Sequence, residues 1–315
     1  ESYIRGEWNT PDLKAVLELA IRNRTILEKA IYGSWLGSIS YRLRHWFRDN
    51  SKSGSRKNIH AHYDLGNAFY ALWLDPTMSY SSAWFSEGDK QSLMDAQRAK
   101  IKRILDSIHA KPGDKLLEIG CGWGGFMEEA LHNGNQVTGL TLSTEQKIFA
   151  DTRLQKVNAA LGKPQKFEVR LQDYRDCAEQ FDGIASIEMF EAVGENHWGE
   201  YFQTIASRLK AGGRACIQTI VIAEDLFDRY RHSTDFIQQY VFPGGMLPSP
   251  AKFKAAAASA GLEVEAEFAF GADYAKTLCL WRDSFNQKME EIYRLGFDEA
   301  FIRLWNFYLM YCAAG

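Results

Sequence analysis

Disulfide scaffolds, thiolate metal sites and membrane spans are architectures this chain has little material for. Its five cysteines, Cys121, Cys177, Cys216, Cys279 and Cys312, are odd in number and never fall in C-x-x-C spacing, which suits a reducing, cytoplasmic setting. No apolar run approaches the ~20 residues that cross a bilayer, so no segment is expected to span one. His60 and His62 alternate with no Cys or third His nearby, and no metal site is expected. What remains, 46% hydrophobic and 24% charged residues over 315 positions, is the material of an ordinary soluble globular protein with one large domain, or one large and one small. Glu1 in place of Met, and an abrupt stop at Ala313-Ala314-Gly315, give the expectation that both ends are trimmed.

Charge is unevenly spread. Residues 1–60 hold 11 Lys and Arg against 6 Asp and Glu, although the whole chain carries a net charge of -3. A basic segment on an acidic body can lie against an anionic membrane surface; a solvated helix face accounts for it equally well. Asn9-Thr10-Pro11-Asp12 opens a helix, with Leu13, Val16, Leu17, Ala20 and Ile21 at helical spacing. Residues 39–48 mix aromatics with arginines, a composition suited to a headgroup interface. These features outline a helical segment over 1–50. The Ser, Gly and Lys run at 51–57 is a linker, and the main domain follows over 58–315. Its first part, through Phe69, Tyr70, Trp73, Tyr80, Trp84 and Phe85, has the look of a surface lid over a ligand.

Lys115-Leu116-Leu117-Glu118-Ile119 is an apolar run of strand length that breaks into Gly120-Cys121-Gly122-Trp123-Gly124-Gly125 and then a helix start. Glycines there let the backbone take positive φ and approach a nucleotide-like ligand, and the helix N-terminus offers free N–H groups. A dinucleotide fold would place an acid about 20 residues on, at the end of the second strand. Here that strand ends in Thr141-Leu142-Ser143 followed by Thr144-Glu145-Gln146, whose hydroxyls and amide suit a ribose, and S-adenosylmethionine is favoured over NAD. Further strands at 167–171, 181–191 and 214–220 alternate with helices, which argues for a doubly wound parallel sheet with ligands at the carboxyl ends. Glu118, Thr141, Asp173, Glu188, Glu191 and Gln218 all lie at those ends.

The motifs are specific enough to name a family. His62-Tyr63-Asp64-Leu65-Gly66-Asn67, the run from Leu74 to Ser81, the Glu118 glycine turn, Leu140-Thr141-Leu142-Ser143, Gln172-Asp173-Tyr174-Arg175-Asp176, Met189-Phe190-Glu191, Phe242-Pro243-Gly244-Gly245 and Gly271-Ala272-Asp273-Tyr274 together resemble the cyclopropane fatty acid synthase and mycolic acid cyclopropane synthase family. The resemblance implies a class I methyltransferase, Rossmann-like, with a mostly parallel seven-stranded sheet behind a small helical N-terminal lipid-binding domain. It implies transfer of a methyl group from S-adenosylmethionine to the double bond of an unsaturated phospholipid acyl chain, at the inner face of the membrane as a peripheral protein. Cofactor contacts carried over are Tyr80, Ser81, Leu117, Glu118, Gly120, Gly122, Trp123, Gly124, Thr141, Leu142, Ser143, Gln146, Gln172, Asp173 and Tyr174. A carbocation formed on the acyl chain is stabilised by aromatic faces, and 13% of the residues are aromatic. A homodimer would let paired basic segments grip a membrane.

In the family, bicarbonate is the general base, held by a Glu, a Tyr, an Ile backbone, a Cys and a His. Glu191, Tyr274 and Ile220 match; Ser82 stands in place of the Cys, Gln218 in place of the His, and Ala192 in place of the His after the Glu. Serine and glutamine can still donate to a carbonate oxygen, but an amide cannot take up a proton as imidazole does. Cys312 matches the family's C-terminal cysteine and is read as pocket lining. Cyclopropane and methylene or methyl-branched products both remain open. A methyltransferase for a soluble small molecule or nucleic acid is a rival; the absence of Asn-Pro-Pro-Tyr and Asp-Pro-Pro-Tyr and the aromatic richness speak against nucleic acid. A non-catalytic lipid- and cofactor-binding homologue is a third reading.

Overall fold

A computed structural model of the chain describes residues 1–24, 65–88 and 90–315. The 39–48 piece, the 51–57 linker, His60, His62 and the start of the motif at 62–67 lie outside the described residues. The elements run α1 (Leu13–Arg22), α2 (Asn67–Trp73), α3 (Leu93–Ser107), β1 (Lys115–Ile119), α4 (Gly125–His132), β2 (Gln136–Thr141), α5 (Thr144–Ala160), β3 (Phe167–Leu171), β4 (Phe181–Ile187), α6 (Trp198–Arg208), β5 (Leu209–Gln218), α7 (Glu224–Arg231), α8 (Phe236–Tyr240), α9 (Pro250–Ser259), α10 (Gly271–Gln287), α11 (Met289–Arg294) and α12 (Glu299–Ala314).

Every strand pairing is parallel and the order is β3-β2-β1-β4-β5. β1 is central, and beyond Lys115 it is buried throughout, which is why it reads as a continuous apolar run rather than an alternating one. Ile101, Leu116, Phe126, Leu131 and Leu154 fill one face of the sheet, and Leu117, Ile184, Phe190, Tyr201, Phe202 and Ile205 fill the other. Helix starts follow their caps: Ser92 accepts from the Asp95 N–H, Ser143 from that of Gln146, and Asp12 from that of Ala15. Pro11 thus sits just before α1 rather than inside its first turn.

Two expectations are corrected. The seven-stranded sheet is five-stranded among the described residues. Residues 263–270 alternate apolar and acidic side chains as a strand would, yet they run extended, mostly exposed and unpaired. A ladder needs backbone neighbours about 4.8 Å apart, whereas here side chains bridge the gap: Arg214 of β5 pairs with Glu265, and the Arg103 guanidinium lies 3.7 Å from the Phe268 ring centre. The second correction concerns the aromatic run. Phe69, Tyr70 and Trp73 are at most 1% exposed and pack with Trp281, Phe285, Trp305 and Tyr308, so this stretch is an inner wall and not a surface lid. The same cluster takes in Leu13 of α1, and Arg303 of α12 bonds the Trp8 carbonyl and the Asn9 side chain, both at 2.7 Å.

Candidate active site

Strand order reverses between β1 and β4, where a doubly wound sheet opens a crevice beyond its carboxyl ends. A cavity of about 1800 Å3 lies there, larger than the roughly 300–1,000 Å3 that one small ligand fills. Gly120, Gly122 and the rest of the turn after β1 form one end, and Glu188, Glu191 and Tyr274 lie deeper, with Tyr308 and Cys312 of α12.

At the turn, Gly120 takes φ +83, and a Cβ there would come within 2.8 Å of the Met189 Cγ, so both conformation and space demand glycine. Glu118 is 3% exposed and its Oε2 has no hydrogen-bond partner; burial raises its pKa well above the carboxylate range, against the opposing charges of Lys100 and Arg153. The Thr141 hydroxyl and Gln146 Oε1 are 2.8 Å apart. Asp173 is gripped by the Arg175 guanidinium through two bonds of 2.8 and 2.7 Å, and Arg175 also lies 5.4 Å from the Tyr174 ring centre. Tyr80, Ser81, Trp123, Leu142 and Gln172 complete this part of the lining. Ser81 is engaged from behind, its hydroxyl 2.6 Å from the Nζ of buried Lys100.

Three expected cofactor residues do not face the cavity. Leu117 points into the core beneath the sheet. Gly124 is the left-handed N-cap of α4, lying over Ala150, and Ser143 is consumed as the cap of α5. They shape the turns that hold their neighbours.

The acid end is built differently from the expected anion site. Glu191 Oε1 accepts the Ile220 N–H and the Thr219 hydroxyl, the latter at 2.9 Å, while its Oε2 is buried without a partner. Glu188, the last residue before the Met189-Phe190-Glu191 turn, adopts φ +46, a left-handed conformation that costs a non-glycine residue about 1–2 kcal/mol. That bend turns its carboxylate inward. Oε1 accepts the Ser82 N–H and the Gln218 side-chain amide, both at 2.8 Å, and the Tyr274 side chain lies near the same carboxylate. Ser82 and Gln218 therefore stand behind Glu188 and do not line the cavity. The Ser82 hydroxyl, expected to face an anion, instead donates to the Ala83 carbonyl at 3.0 Å.

Burial raises both carboxylic acids. Glu191 reaches about 8, with the Glu188 charge as the second cause. The Ser82 and Gln218 donors and the nearby Lys100 work the other way on Glu188, so of the two carboxyls Glu188 is the one whose surroundings favour the charged form. Lys100 is itself lowered to about 8 by burial, with the Glu188 charge opposing that shift. Burial drives the Cys312 thiol and the Tyr274 hydroxyl upward, and a thiol held protonated is a poor nucleophile. Sequence reasoning left Glu188 without a role and passed over Lys100, Arg175 and Thr219.

Residues 50–315 match the family described as mycolic acid cyclopropane synthetase. The chain belongs to that family. It is an S-adenosylmethionine-dependent fatty acid methyltransferase of the cyclopropane synthase type. Tuberculostearic acid methyltransferase UfaA1 of Mycobacterium tuberculosis is 38% identical, across the full chain and 74% of its own length. The cyclopropane-fatty-acyl-phospholipid synthase of Escherichia coli is 33% identical over 99% of this chain and 78% of its own. Among solved structures, mycolic acid cyclopropane synthase CmaA1 complexed with SAH and CTAB superposes with a TM-score of 0.74 at 32% identity, covering 82% of this chain and 92% of that one.

The residues of this family member fit S-adenosylmethionine. Unpartnered, buried Glu118 suits an ammonium group, the Thr141–Gln146 pair suits ribose hydroxyls, and the glycines leave room for close backbone approach. They do not fit bicarbonate. The Ser82 and Gln218 donors are spent on Glu188 and the Ile220 donor on Glu191, and a second anion about 4 Å from an ionised Glu188 would be repelled by about 4 kcal/mol at an effective dielectric of 20.

Proposed function

We propose that the protein methylates the double bond of an unsaturated fatty acyl chain carried on a membrane phospholipid, giving a methyl-branched or methylene product. The observation that carries this reading is the single cavity joining the glycine turn to a buried acid pair through aromatic and aliphatic walls. S-adenosylmethionine, when bound at the turn, supplies an electrophilic methyl group. The protein's part is to hold an alkene, a poor nucleophile, in line with it and away from water. The alkene π electrons form the new C–C bond and leave a carbocation on the acyl chain. Nearby aromatic faces, Tyr274 and Tyr308 among them, attract that charge, an effect worth about 2 kcal/mol or more when desolvated. Loss of a proton from the new methyl with ring closure gives a cyclopropane. Hydride migration to the cationic carbon followed by proton loss gives a methyl-bearing or methylene alkene. The relative named for tuberculostearic acid aligns with the whole chain and supports the second course; the Escherichia coli relative supports the first.

Val16, Leu19 and Ile21 are exposed on α1, and Ile21 and Arg24 lie at the cavity rim. Exposed apolar side chains beside an arginine suit a bilayer surface from which an acyl chain enters, and no helix of the described residues is long and apolar enough to cross one. The test is incubation with S-adenosylmethionine and vesicles of mono-unsaturated phospholipid, with mass spectrometry of the acyl chains before and after catalytic hydrogenation. Gain of one methylene unit with a reducible double bond is the expected result. The same gain with no reducible bond means cyclopropane, and no gain with cofactor bound refutes the reading.

A further inference from the structure

We propose that the carboxylate of Glu188 is the proton acceptor of the methylation reaction, built into the chain where other family members recruit a bicarbonate ion. The inference rests on the acyl-methylation reading above. The donors that the family resemblance assigns to bicarbonate do not face an empty pocket. The Ser82 N–H and the Gln218 amide converge on Glu188 Oε1 at 2.8 Å each, the Tyr274 side chain lies close enough to favour the charged carboxylate, and the Glu188 N–H donates to the Gln218 carbonyl at 2.8 Å. Glu188 lines the cavity while Ser82 and Gln218 do not, so the carboxylate caps its own donors and presents itself to whatever fills the space. The φ of +46 is what makes this possible. In an extended conformation at the tip of β4 the side chain would follow the strand's alternation; the left-handed bend redirects it. Strain held at such a position, with four polar groups organised around it, is a mark of a working residue.

The step balances without an external reagent. The C–H bond next to the cationic centre breaks, and its electron pair stays on carbon to close the new bond. The proton passes to the Glu188 carboxylate, which becomes a neutral acid and releases it to solvent when the product leaves. Glu191, protonated near neutrality, keeps a second negative charge away from the site, and the Gln218 amide, unable to accept a proton, acts as a fixed donor and positions the base.

The test compares the wild type with Glu188→Gln and Glu188→Gly, using mono-unsaturated phospholipid vesicles in buffer freed of carbon dioxide, with and without added bicarbonate. Wild-type turnover is expected to be the same in both. Glu188→Gln is expected to lose about 10²- to 10⁴-fold in kcat with its affinity for S-adenosylmethionine within threefold of wild type. Glu188→Gly relieves the backbone strain and opens the anion site, so its residual turnover is expected to rise at least tenfold with bicarbonate. A wild type that loses activity without bicarbonate, or a Glu188→Gln variant with undiminished kcat, overturns the proposal. Line broadening of ¹³C-bicarbonate gives a readout independent of turnover. Binding to Glu188→Gly but not to wild type supports the inference, and binding to wild type refutes it, even if no vesicle is methylated and the acyl reading fails alone.

Discussion

Glu191 offers the sharpest physical test of the site. Its carboxyl is buried, its Oε2 has no partner, and burial together with the neighbouring Glu188 charge moves it from 4.5 to about 8. A carboxyl whose folded-state pKa lies above its unfolded value leaves stability intact below about pH 4.5 and reduces it as pH rises toward 8, since the unfolded chain ionises and the folded one resists. At about 1.36 kcal/mol per pH unit, the full penalty above pH 8 is roughly 5 kcal/mol. Glu191→Gln does not titrate, retains an oxygen for the Ile220 and Thr219 donors, and so escapes that penalty. For a chain of this length, 1 kcal/mol shifts Tm by roughly 1.5 °C. The Tm of Glu191→Gln is therefore expected to exceed that of wild type by a margin that widens by about 5 °C between pH 5 and pH 8, measured by scanning calorimetry in matched buffers. Differencing the two proteins removes every other titrating group to first order. A margin that stays constant or narrows over that interval would refute the account of Glu191 as a neutral buried acid.

Other expectations follow from geometry already described. Gly120→Ala places a Cβ 2.8 Å from the Met189 Cγ on a backbone at φ +83, so calorimetric affinity for S-adenosylmethionine should drop at least tenfold; unchanged affinity would mean that the turn is not the cofactor cradle. Arg175→Ala strips Asp173 of both its guanidinium bonds while the backbone N–H bond from residue 175 remains, a loss of about 1–3 kcal/mol by denaturant unfolding; Arg175→Lys, lacking the fork, should recover less than half of it. Cys312→Ala is expected to stay within about threefold of wild-type turnover, because a thiol held protonated by burial has no covalent part to play. Complete inactivation of that variant with its fold intact would reverse this assignment.

Much of this arrangement was legible in the residues themselves. A strand-length apolar run broken by glycines marked β1 and its turn, because a central parallel strand buries both faces and the backbone beyond it must bend sharply. The carboxylates beyond β4 followed from similar local rules, whereas Ser143, expected at the cofactor, is the cap of α5. Local rules stop short of the backbone bend at Glu188. The family motif singles out Glu191, and nothing in the sequence signals that Glu188, three residues earlier, takes the Ser82 and Gln218 donors. The Ser82 hydroxyl likewise had two acceptors within reach in principle, and its own neighbour's carbonyl took it. Phe69, Tyr70 and Trp73 looked like surface aromatics in a polar stretch; their burial depends on α10 and α12, more than 200 residues away. Long-range partners of this kind leave no periodic trace in the segment they cover.

The size of the cavity has a thermodynamic consequence. At about 30 Å3 per molecule, 1800 Å3 holds on the order of 60 waters when no ligand is present. Most of them must leave before an alkene can meet a sulfonium in dry surroundings. Solvent drainage, rather than any one contact, then dominates the heat of substrate binding: the heat capacity change should be large and negative, and binding enthalpy should grow steeply more favourable on warming.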